Sequence, residues 1–143
     1  MQRIIKFRAW HPVDTTDPLY KGGDMDYLGE ALDSDVELYI PLGYTEIMEF
    51  TGLKDKNGVE IYEGDIISTI SELMADFGRI PTGKYQIEFY SIEYCIEDGR
   101  WLERRIRDGW LAPLGICQKI IGKYSEVIGN IYENPKLLKA KDE

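Results

Sequence analysis

The chain has 143 residues, 43% of them hydrophobic and 30% charged. That length makes one domain of ordinary size, which buries roughly two-thirds of the surface its unfolded form exposes and needs no disulfide or metal staple. The net charge of −9 opposes approach to a phosphate backbone and puts nucleic-acid binding low among the function classes.

From the N-terminus, RIIKFRAW (Arg3 to Trp10) alternates. Ile5, Phe7 and Ala9 share one face; Ile4, Lys6, Arg8 and Trp10 share the other, as in a two-faced strand. Pro12 ends it. Residues 13–44 read as an excursion of weak periodicity, with VELYI (Val36 to Ile40) strand-like inside it. TEIMEF (Thr45 to Phe50) is the next strand. Asp55, Asn57 and Gly58 then make a turn, because Asx side chains bond local backbone and Asn-Gly tolerates positive φ. VEIY, a second turn at Glu63-Gly64 and DIISTI follow, so Thr51 to Ile67 is a hairpin and a sharp corner.

Residues 72–84 read as a loop opening on a short helical turn. YQIEFY puts Tyr85, Ile87 and Phe89 on one face; IEYCIE puts Ile92, Tyr94 and Ile96 on one face. That slip of phase around Ser91 predicts a bulge, bend or turn. After the Asp98-Gly99 turn, RWLERRI and GWLAPL are strand candidates. LGICQKIIGKY (Leu114 to Tyr124) has the spacing of a short helix, and EVIGNIY returns to a strand. Asn134 and Pro135 suit the cap and first position of a short helix over 134–141. Short strands separated by turns at these spacings predict a mainly β small barrel or roll, with its core in 45–132.

Three pieces stand in order along the chain: IKFRAW (Ile5 to Trp10), TGLKDKNGVEIYEGDII (Thr51 to Ile67) and EVIGNIYENPKLL (Glu126 to Leu138). In this combination the chain resembles the YopX family, small proteins found mostly in bacteriophages and prophages of Gram-positive bacteria, from about Lys6 to Leu138. The resemblance implies a C-terminal barrel of the Src-homology-3 type with short helices, and a phage-related protein inside its bacterial host. It implies no biochemical activity and carries over no catalytic or binding residue.

The residues themselves offer little chemistry. The opening MQRIIKFRAWH has no apolar leader core or small-residue cleavage site, and no run reaches the ~18 apolar residues of a membrane span, so a cytoplasmic, membrane-free protein is expected. Cys95 and Cys117 form no CxxC pair and read as buried reduced thiols. The single histidine, His11, lies beside Pro12 in what reads as an exposed loop, too poor a set for zinc or for a nucleophile–base pair. No metal, cofactor or catalytic residue is expected. Glu63 and Asp65 flank Gly64 and define a carboxylate hydrolase as the least favoured alternative; acidic residues at a turn more often hold turn backbone.

Arg100, Arg104, Arg105 and Arg107, interleaved with Trp101 and Trp110, are weak candidate contacts for nucleic acid or a partner, since basic and aromatic side chains together bind single strands. The competing reading places Trp101 in the core and pairs the arginines with the surplus of acids. A small barrel without a catalytic set is most often a binding module. The favoured expectation is a non-enzymatic protein that binds another protein, a host protein being one candidate, and that self-associates. Ile4 and Trp10 opposite Phe7, and Tyr90 opposite Phe89, give strands two apolar faces, and the second face needs cover from the 13–44 excursion or from another copy.

Overall fold

The computed structural model describes residues 4–13, 19, 22–29, 46–114 and 118–139. The expected strand at Val36 to Ile40, most of the 13–44 excursion and Cys117 lie outside the described residues. Among the described residues nine strands form two antiparallel sheets. β1 (Phe7–His11), β2 (Asp24–Gly29), β3 (Glu46–Lys54) and β4 (Glu60–Tyr62) make the first, in the order β2-β1-β3-β4. β5 (Asp65–Ala75), β6 (Ile80–Cys95), β7 (Arg100–Arg105), β8 (Leu111–Pro113) and β9 (Ser125–Asn130) make the second, in the order β8-β7-β6-β5-β9. The second sheet curls into a half-barrel, and among the described residues no ladder joins its edges β8 and β9. The fold is mainly β, as expected.

Helix α1 (Gln118–Tyr124) precedes β9, and Pro135–Leu138 is a single 3₁₀ turn. The core cluster lies between the half-barrel, the β3–β4 hairpin and α1. It contains Ile61, Ile67, Ile92, Leu114 and Ile121, with Leu53, Tyr90, Trp101 and Val127 packed against it.

Four expectations need correction. Residues 72–84 are not a loop with a helical turn: β5 runs on to Ala75, residues 76–79 turn, and β6 begins at Ile80. β6 also runs unbroken through Ser91, with no irregularity of its ladders there. The apparent slip has another cause. Tyr90 and Ile92 face the core on one side of the strand, while Tyr85 and Ile87 lie on the other side, where the strand has left the body. Third, His11 is no loop residue: it ends β1 opposite Asp24 and is half-buried. At the C-terminus, Asn134 does not cap. Its Oδ1 turns back to accept the N–H of Asn130 at 3.1 Å, and the helix shrinks to the 3₁₀ turn.

Candidate functional site

Strand β1 and the residue before it set Lys6, Arg8 and Trp10 on one face, and each meets another element. Lys6 Nζ bonds Glu60 at 2.6 Å and lies over the Phe50 ring. Trp10 stacks on Tyr132 with ring centroids 5.7 Å apart. Arg8 goes deepest. Its Nη1 is 2.8 Å from Asp65 Oδ1, both side chains only 2% exposed, and its Nη2 donates to the Glu63 carbonyl at 3.0 Å. The guanidinium lies 4.9 Å from the Tyr62 ring centre and 6.0 Å from that of Tyr27, while its Nε is buried without a hydrogen-bond partner among the described residues. The three motif pieces thus converge: the first supplies Lys6, Arg8 and Trp10, the second Glu60, Tyr62 and Asp65, the third Tyr132.

This convergence is a clamp between the two sheets. Burial raises the Asp65 carboxyl to about 6, against the opposing pull of Arg8 and the Tyr62 N–H. Burial, aided by nearby carboxylates, raises the Tyr62 and Tyr132 hydroxyls to about 12. A shifted carboxylate beside an arginine is a frequent mark of an active site. Here both groups are closed to solvent and spent on each other, which leaves no face for a substrate.

The turns of the middle piece hold backbone. Asp55, 4% exposed, accepts the N–H groups of Asn57 and Val59 on Oδ1 and that of Val127 on Oδ2, at 2.8–2.9 Å. Lys56 N–H donates to the Ser125 carbonyl. The turn therefore covers the edge of β9 that faces away from β5. Gly58 has φ +79° and Gly64 φ +87°; a Cβ at Gly64 would lie 3.1 Å from Met48 Sδ. Asp65 Oδ2 accepts the Tyr62 N–H across the corner. Glu63 and Asp65 are thus a turn residue and a clamp residue. Among the described residues no group of three or more His, Cys, Asp or Glu side chains is placed to hold a metal ion.

The arginine stretch falls on β7 and the turn to β8, where every arginine meets a carboxylate. Arg104 bonds both oxygens of Glu93 across the sheet at 2.9 Å, and Arg105 bonds both oxygens of Asp108 at 2.6 and 2.8 Å. Arg107 places two nitrogens on Glu88 Oε1, and Arg100 lies 3.5 Å from Asp98. Trp101 packs against the core and edge-on to Tyr94; Trp110 is exposed beneath Arg105. A nucleic-acid phosphate would have to displace a carboxylate at each arginine.

What sequence reading missed is the β5–β6 arm. β9 pairs with β5 only as far as Thr69, and β7 pairs with β6 only from Tyr90 onward. Between them the hairpin is a two-stranded ribbon, and every residue from Leu73 to Ile87 is exposed. Its ladder sets Ile70 opposite Ile87, Glu72 opposite Tyr85 and, past a bulge, Met74 opposite Pro81. The tip turns through Asp76 (φ 50°), Phe77 (φ 55°) and Gly78 (φ 84°). The signal was present in the phase slip, once read as two covered sides rather than a broken strand.

No helix among the described residues is long and apolar enough to cross a membrane. A family model described as YopX protein matches residues 6–139. Among solved structures, the crystal structure of protein EF1440 from Enterococcus faecalis is similar, with 28% identity, 96% of this chain and 100% of that chain covered, and a TM-score of 0.47. No curated protein matches the chain.

Proposed function

The chain belongs to the YopX protein family, and on that premise we propose that it is a non-enzymatic accessory protein of a phage or prophage that acts by binding protein through the β5–β6 arm. One observation carries the reading: apolar side chains stand in solvent along a ribbon that no strand but its own two pairs with among the described residues, Ile70, Leu73, Met74, Ile80, Tyr85 and Ile87 on its strands and Phe77 at its tip. Scattered exposed apolar residues are ordinary; a contiguous run of them marks an interaction surface. The arm also carries exposed main-chain edges on both strands, which suit strand addition or face-to-face packing.

The test is a photo-crosslinking amino acid in place of Phe77, irradiated in cells. Phe77 is 99% exposed, so the replacement leaves the fold alone. Adducts with protein are expected. Absence of protein adducts at Phe77 and at Tyr85, or adducts with nucleic acid alone, would overturn the reading.

A further inference from the structure

Resting on that reading of the arm, we infer that its occupant is a second copy of this chain, packed arm on arm about a twofold axis. Area comes first. The seven exposed apolar residues from Ile70 to Ile87 leave on the order of 700 Å² open, near the roughly 800 Å² per partner that a standard stable interface buries. Ile70, Tyr85 and Ile87 share one side of the ladder and Leu73 lies on the other, so a dimer buries this area where the two arms enclose each other on both sides.

Charge is the second argument. The whole chain carries −9, so two copies repel across most of their surfaces. The arm does not share that excess. Over residues 70–87, Glu72 and Asp76 are matched by Arg79 and Lys84, a net of zero. It is a stretch on which two acidic copies can meet without stacking like charge, and an isologous contact lets the acids of one arm lie by the bases of the other.

The third argument concerns the state of the arm alone. A two-stranded hairpin is marginally stable in water without a third strand or a covering layer. This one has cross-strand support from Thr82 Oγ1 donating to the Leu73 carbonyl at 2.6 Å and from the Gly83 N–H donating to Glu72 at 3.0 Å. Its tip nonetheless holds Phe77, a bulky residue, at φ 55° and in full solvent. That conformation is costly for a side chain with a Cβ and persists where surrounding contacts hold it. A ribbon that needs cover to keep its shape needs a partner present from synthesis onward. A second copy meets that condition; a transient client does not.

The experiment is light scattering after size exclusion, from about 1 to 100 μM, on the full chain. Wild type is expected at twice the 16.5 kDa monomer mass. Ile70→Lys with Ile87→Lys is expected to raise the dimer dissociation constant at least 100-fold. Phe77→Ser, at a position without intramolecular packing to lose, is expected to raise it about tenfold with an unchanged circular dichroism spectrum. It keeps the test sound should the lysine pair disturb the ribbon. A 16.5 kDa mass across the whole range, or a dimer indifferent to both variants, overturns the inference. A monomer whose Phe77 crosslinks to a different protein overturns the self-association alone and leaves the protein-binding reading standing. A monomer with no arm crosslink to protein removes both.

Discussion

Replacing Asp55 by Ala removes the acceptor for three backbone N–H groups at once, those of Asn57, Val59 and Val127. A hydrogen bond to a charged group contributes about 1.5–3 kcal/mol net, and a buried donor left unpaired costs about 1–3 kcal/mol. The Asn57 end lies near solvent, where water takes over the lost bond, so that share is small. The Val59 and Val127 ends are at the joint between the β3–β4 hairpin and β9. The expected loss is about 3–5 kcal/mol, a large part of the 5–15 kcal/mol typical of a domain, and a fall in Tm of about 10–15 °C. Asp55→Asn keeps one acceptor but turns an amide donor toward another N–H, so it should lose roughly half as much. Asn57→Ala gives up only a 3.4 Å contact with Glu126 and should stay within about 0.5 kcal/mol of wild type. Urea and thermal unfolding followed by circular dichroism measure all three. If Asp55→Ala unfolds with the wild-type midpoint but no longer forms the arm contacts, the turn is a binding site, and its reading as backbone support is wrong.

Arg8→Met should cost about 3–5 kcal/mol, because it strands the buried Asp65 carboxylate; adding Asp65→Leu should recover most of that in a double-mutant cycle of urea midpoints. The Asp65 carboxyl, raised from 3.8 to about 6, and that of Glu103, raised by burial from 4.5 to about 7, both bind protons more tightly in the folded state. Their contributions to stability are therefore full at low pH and are lost as pH climbs from about 4 to 7, so Asp65→Asn and Glu103→Gln should each flatten the measured stability profile in that window. Gly58→Ala should cost about 1 kcal/mol from its positive φ alone, since a Cβ there meets nothing within 4 Å. Gly64→Ala should cost visibly more by the same unfolding assay, because Met48 Sδ must also move.

The turns and most strands were legible in the chain itself because their causes are local. Asp55 reaches partners two and four residues on, and Gly58 and Gly64 take backbone angles that other residues resist, so composition and spacing of a few residues suffice. β3, β4, β7, β8 and β9 follow from alternation between such turns. The competing reading of the arginine stretch was equally legible from the count of acids, and the pairs with Glu93, Asp108 and Glu88 bear it out. Tertiary structure alone decided the rest. Arg8 looks like any polar residue on a strand face until Glu63, 55 residues away, and Asp65 close around it. Asn134, a good helix cap by type, spends its oxygen on Asn130 because the chain there turns before a helix can lengthen. The arm was hidden for the same reason. Period-2 alternation states which residues share a side of a strand, but which side is covered depends on what packs there. β6 passes from a three-stranded neighbourhood to an open ribbon at the point where β7 ends, and its apolar residues change sides with it.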